Sequence, residues 1–113
     1  MAMVLKSTAQ PHGQLTDEIL AARIAQGDVS ALETLYERYA AMVMGITLKV
    51  TGDRGLAENL LQETFWQVWK SASAYQPQSG SFTSWLFRMA RQIAIQASHN
   101  DLPLEPVTGT AKK

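Results

Sequence analysis

Arg88 and Arg91 lie three residues apart in a stretch, 64–100, that holds no acidic residue and only one other lysine or arginine, Lys70. Just upstream runs a polar loop, Ser73 to Gly80, with no charge at all. Tyr75, Trp85 and Phe87 are expected to be exposed aromatics on or beside it. Guanidinium groups on one helical face can hold phosphates, while rings, amides and hydroxyls beside them can stack on or bond to unpaired bases. The charge is too small for strong non-specific duplex binding, because counterion release scales with the number of phosphates neutralised. Two arginines on a helix are by themselves usually a solvated face. What points to nucleic acid is their combination with the acid-free loop.

A second surface precedes this one. At 100° per residue, Ala57, Leu60, Leu61, Thr64, Phe65, Val68 and Ala72 share one side of a helix, and Asn59, Gln62, Glu63, Trp66 and Lys70 share the other. Trp66 therefore sits in the middle of a polar face. A tryptophan there is costly to leave in water and typical of a protein-interface anchor. The alternative is that the first residues or the tail fold over it. Residues 1–63 carry eight acids against five bases, so the chain is acidic and then basic although its formal net charge is zero. A dipolar domain suits two partners of different sign better than one anionic ligand.

Enzyme chemistry finds no support. Cysteine is absent, which removes disulfides, thiolate zinc sites and cysteine nucleophiles. His12 and His99 are far apart, and no glycine opens a phosphate-cradling GxxxxGK run. No nucleophile–base pair follows from spacing. We therefore expect no catalysis, no metal and no cofactor. The start, MAMVLKSTAQPHG, does not fit a signal peptide, and no stretch approaches the ~20 apolar residues that span a bilayer. The expected location is the cytoplasm, without membrane insertion.

The elements that must position these residues are all helical. With 113 residues, 46 % of them apolar, one domain with a modest core is the limit. Residues 1–15 are expected to be a disordered leader, 16–100 the domain, and 101–113 a linker or disordered tail. Thr16 caps a short helix, about 17–26, with Asp17 and Glu18 in its first turn and Gly27 ending it. Asp28 caps a helix over about 29–50, whose stripe is Leu32, Leu35, Tyr36, Tyr39, Val43, Ile46 and Val50. Apolar on most sides from Met42 to Val50, it should be central and buried. Gly45 inside it is expected to permit a close helix approach. Asp53 caps a helix over about 54–72. Ser81 caps the last, about 82–98, with Phe82, Leu86, Met89, Ala90, Ile93 and Ala97 inward and Ser84, Arg88, Arg91, Ile95 and His99 outward. Asn100 is its expected stop. The fold class is all-α, a compact three- to four-helix bundle.

Three motifs, in this order and spacing, carry a resemblance: GDVSALETLYERY, AENLLQETFWQVW and SGSFTSWLFRMARQIA. Together they resemble domain 2 (region 2) of bacterial RNA polymerase sigma factors, most closely the extracytoplasmic-function (ECF) group, over about residues 15–99. The resemblance implies a helical domain with two tasks in transcription initiation. The third helix would dock on the clamp helices of the polymerase largest subunit through Asn59, Gln62, Glu63, Trp66 and Lys70. The loop and last helix would recognise and hold the melted non-template strand of the promoter −10 element, with bases flipped into pockets. The matching positions there are Tyr75, Gln76, Gln78, Ser79, Ser81, Ser84, Trp85, Arg88 and Arg91. Partners would be the polymerase core, promoter DNA in the nucleoid and an anti-sigma factor.

The family commonly has Asp at Asn59, a basic residue at Ser79 and Leu at Trp66. The helix-turn-helix with which the family reads the −35 element is not expected in the thirteen tail residues, so an excised domain 2 is expected rather than an unusual single-domain factor. A helical protein–protein module, held by an anti-sigma regulator and without a direct DNA role, is the alternative.

Overall fold

A computed structural model describes residues 15–101, folded as four α-helices: α1 (Asp17–Ala25), α2 (Val29–Thr51), α3 (Arg54–Ser71) and α4 (Phe82–Asp101). Among the described residues there is no strand. Two short 3-10 turns, Ala72–Ala74 and Pro77–Ser79, occupy the link between α3 and α4. Most of the expected leader and tail, including His12, lies outside the described residues.

The helix starts follow from capping chemistry. The side chains of Thr16, Asp28 and Asp53 accept from the N–H groups of Ile19, Ala31 and Leu56 at 3.2, 3.2 and 3.0 Å. Each satisfies one of the donors that a helix start leaves unpaired. Ser81 does the same for α4, accepting from the Ser84 N–H at 3.1 Å. At the other end of α2, Gly52 adopts φ 69° and returns its N–H to the Leu48 carbonyl at 2.8 Å, a left-handed stop that glycine reaches without a Cβ clash. α4 runs past its expected end near Ser98 and through Asn100 to Asp101. Asparagine is only a weak breaker, and no proline intervenes before Pro103.

α2 is the central element and packs on α1, α3 and α4. Its fully buried positions are Ala31, Leu35, Val43 and Thr47, with Leu32, Tyr39, Met42 and Ile46 packed around them. The buried line is rotated from the expected stripe, because Ala31 and Thr47 are small enough to let neighbouring helices approach. Tyr36 is left 38 % exposed with its ring edge-on to Phe65, centroids 5.0 Å apart. Thr47 donates to the carbonyls of Met44 and Ala57, at 3.2 and 3.1 Å, so its hydroxyl is satisfied inside the core and ties α2 to α3. Thr64, equally buried, donates to the Leu60 carbonyl at 2.7 Å. α3 buries Ala57, Leu60, Thr64, Phe65 and Val68, all from the expected side. α4 buries Phe82, Leu86, Ala90 and also Ala94, while Met89, Ile93 and Ala97 are half-buried.

Gly45 does not mediate a close helix approach. It is exposed, and a Cβ built on it would meet nothing within 4 Å. Its φ is not positive either, since among the described residues only Gly27, Gly52 and Gly80 have a positive φ. Glycine at such a site costs backbone entropy without a compensating contact. Gly45→Ala should therefore raise stability by about 1 kcal/mol, read as a higher denaturant midpoint at unchanged slope. A lower midpoint would contradict this assignment.

Candidate protein-docking and nucleic-acid surfaces

The link between α3 and α4 is pinned from below by rings. Phe82, fully buried, sits among Tyr39, Tyr75 and Trp85, with centroid distances of 6.0, 5.7 and 5.6 Å. Tyr75 and Trp85 also meet each other at 5.3 Å. Such edge and tilted arrangements suit ring quadrupoles. The Tyr75 hydroxyl donates to the Gly80 carbonyl at 2.9 Å and reaches the Glu18 carboxylate at 3.5 Å. Burial first, and then the nearby Glu18 charge, raise the Tyr75 pKa above the ordinary tyrosine value. Gly80 itself has φ 149° and ψ 172°, a region essentially reserved for glycine. The loop is thus held in one shape by a hydroxyl clamp and a residue that only glycine can fill.

These contacts correct one expectation. Tyr75 is not an exposed aromatic: it is only 9 % exposed, because its hydroxyl and its ring both have partners inside the fold. Trp85 is half-buried, and of the three rings only Phe87 stands well out, at 44 %.

Above the rings lies a recess of about 110 Å³ that brings together Tyr75, Gln76, Ser79, Ser81, Trp85 and Arg88, with Ala74 and Gly80 completing its wall. Six of the nine residues expected at a nucleic-acid site thus share one concavity. Gln78 is exposed outside it. Ser84 faces the adjoining shallow groove with Thr83, Phe87 and Arg88, and Arg91 the next one, with Phe87, Arg88 and Gln92. The recess has an aromatic floor, amide and hydroxyl walls and one cation at its rim. That combination can seat a planar polar group and hold an anion attached to it. The Ser81 hydroxyl is partly committed, since it caps α4 and donates to the Ser84 hydroxyl at 3.1 Å.

Sequence spacing missed what holds this site to the rest of the chain. Sequence spacing places Glu18 in the first turn of α1, where an acid suits the helix dipole. In the fold its carboxylate also accepts from the Phe82 N–H at 3.4 Å, so an acid from α1 faces the start of α4 across 64 positions. Asp17 accepts from Arg38 at 2.7 Å and from the Tyr39 hydroxyl, and that hydroxyl lies 3.1 Å from Thr83. Arg38 donates further to the Leu15 carbonyl at 2.7 Å. Burial first, then the bond to Asp17, raise the Tyr39 pKa. No local pattern encodes these contacts, since each joins residues more than 20 positions apart.

The second surface lies on α3. Asn59, Gln62, Glu63, Trp66 and Lys70 are all exposed, as their spacing requires, and Trp66 is 53 % so. The Lys70 ammonium lies 5.4 Å from the Trp66 ring centroid, a cation–π distance. Gln67 donates to Glu63 at 3.3 Å along the same face. This face thus holds a large apolar ring that is about half exposed, with the Lys70 ammonium beside it.

No helix among the described residues is long and apolar enough to cross a membrane. Comparison with known proteins gives the relatives of the chain. A relative described as ECF RNA polymerase sigma factor SigK, from Mycobacterium sp. (strain KMS), is 36 % identical over 78 residues, covering 69 % of this chain and 40 % of the relative. SigK of Mycolicibacterium vanbaalenii is 34 % identical over 96 residues, 83 % of this chain and 49 % of that one. SigK of Mycobacterium tuberculosis (strain ATCC 25177 / H37Ra) is 32 % identical over 88 residues, 78 % and 47 % of the two chains. The chain thus spans less than half the length of these curated relatives. The Sigma-70 region 2 profile matches residues 35–99, which takes in most of α2, all of α3, the loop and nearly all of α4. A match over more than half the chain, through both exposed surfaces and the core that spaces them, establishes that the chain belongs to the Sigma-70 region 2 family.

Proposed function

We propose that this chain is a sigma factor domain with no catalysis of its own, serving transcription initiation by joining polymerase to an opened promoter. The α3 face, Asn59, Gln62, Glu63, Trp66 and Lys70, docks on the clamp helices of the polymerase largest subunit. The loop recess and the outer face of α4 hold the non-template strand of the −10 element. The observation that carries this reading is the recess itself. It has an aromatic floor for a base, uncharged amides and hydroxyls for its edge, and Arg88 at the rim, followed by Arg91 along the helix. Kinship with ECF sigma factors supports it independently. An anti-sigma regulator covering either face would be consistent with the same surfaces.

The test is a salt titration of binding to random-sequence single-stranded DNA. Phosphate contacts do not depend on sequence, and each neutralised phosphate contributes about −0.7 to the slope of log K against log salt for a single strand. Arg88→Ala and Arg91→Ala should each lower that slope by about this amount and weaken binding at low salt. Binding by the unaltered chain that is absent, or insensitive to salt, would favour a purely protein-binding module instead.

A further inference from the structure

The sequence counts Lys49 with the acidic half of the chain. The fold moves it to the basic surface. Lys49 lies in the last turn of α2, exposed, and shares a groove of about 440 Å³ with Ile46 and Val50 of its own helix and Phe87 and Arg91 of α4. The floor is apolar and the two polar groups in the wall are both cations. Lys49, Arg88 and Arg91 have no acidic partner among the described residues, whereas Arg38 is paired with Asp17 and Arg54 with Glu58. A favourable charge at a helix C-terminus accounts for a lysine on α2, but not for its convergence with Arg91 and an exposed phenylalanine.

We infer that Lys49 extends the nucleic-acid surface from α4 onto α2, and that this groove seats a nucleotide beyond the loop recess. Its phosphate lies between Lys49 and Arg91, and its base or sugar lies against Phe87. The inference rests on the function proposed above and adds to it a residue from another helix. The occupant is a continuation of the same strand. Arg91 at the groove lies ten positions after Ser81 at the recess, a rise of about 15 Å along α4, and Arg88 with Phe87 bridges the interval. Two unpaired cations over an apolar floor with an exposed ring match a sugar-phosphate chain with stackable bases better than an apolar peptide, which would leave both charges unmet.

The experiment compares the unaltered chain with Lys49→Gln, Lys49→Arg and Arg91→Gln. Each is titrated with salt against random-sequence single-stranded DNA of about 15 nucleotides, within the range of lengths that single-strand-binding folds occupy. Lys49→Gln should flatten the salt slope by about 0.7, as Arg91→Gln does, and Lys49→Arg should retain it. Since Lys49 is exposed, the thermal midpoint of Lys49→Gln should stay put, separating lost contact from lost fold. Trimming the strand from either end in steps should abolish the Lys49 effect before it abolishes binding. An unaltered slope in Lys49→Gln, alongside a flattened one in Arg91→Gln, would overturn the inference and leave the proposed function standing. Loss of salt-sensitive binding in the unaltered chain would overturn both.

Discussion

Phe82→Ala should cost about 3–5 kcal/mol of unfolding free energy, the largest effect of any single substitution in the loop region. Phe82 is fully buried and touches three other rings, so truncation leaves a cavity that Tyr39, Tyr75 and Trp85 cannot all close. Its backbone N–H begins α4 and faces Glu18, so the damage falls where helix, loop and α1 meet. Domains of this size have about 5–15 kcal/mol of stability in total, so the variant should be close to unfolding at room temperature. Urea unfolding followed by tryptophan fluorescence measures it, because Trp85 packs on the missing ring. Any binding to single-stranded DNA should disappear with the loop even where residual helix persists by circular dichroism. A loss below about 1 kcal/mol would mean that the neighbouring rings collapse into the space and that the cluster is not what holds the recess.

Trp66→Ala should have the opposite profile, with little change in stability and a large loss of binding to polymerase core. The ring is 53 % exposed and its visible partner is the Lys70 ammonium, so the folded domain loses little without it. Surface changes of that kind usually stay within about 0.5 kcal/mol. At an interface the same ring becomes an anchor, and truncating such an anchor costs about 2 kcal/mol or more. That corresponds to roughly a 30-fold weaker Kd. The polar neighbours Asn59, Gln62 and Glu63 would form the rim around it, so each should contribute less than Trp66 when replaced singly. Surface-immobilised core polymerase and a concentration series of the chain are enough to measure this. Unchanged binding by Trp66→Ala would remove α3 from the docking surface, while leaving the DNA reading untouched.

The two substitutions probe the surroundings of two tryptophans, Trp66 directly and Trp85 through the Phe82 ring it packs on. Trp66 and Trp85 have the same side chain, yet one is exposed on a polar helix face and the other closes the floor of a recess. Periodicity distinguishes Trp66, because Asn59, Gln62, Glu63 and Lys70, which share its face, are all polar. Trp85 is expected from the sequence to be exposed, and only packing against Tyr75 and Phe82 decides that it turns partly inward.

Local rules determined a great deal here. Thr16, Asp28, Asp53 and Ser81 act within three residues of themselves, so each helix start was legible to the residue. The buried side of α3 follows from spacing alone, because one periodic stripe against one polar stripe leaves a single way to turn the helix. Motif order carried the family, which the match over residues 35–99 bears out. Contacts between distant segments were closed to that reading. Nothing near Tyr75 in the chain says that its hydroxyl will clamp Gly80 and approach Glu18, so its exposure was misjudged. Nothing around Gly45 says whether another helix will press on it; none does. Lys49 belongs by sequence to the acidic half and by position to the basic surface, because charge summed along a chain ignores which helices lie side by side. The amino-acid order thus determined helices, caps, the inward face of α3 and kinship, since these depend on neighbours within a turn or two. Only the tertiary structure decided how the recess is closed and which cations converge, because those depend on three helices meeting through side chains far apart in the chain.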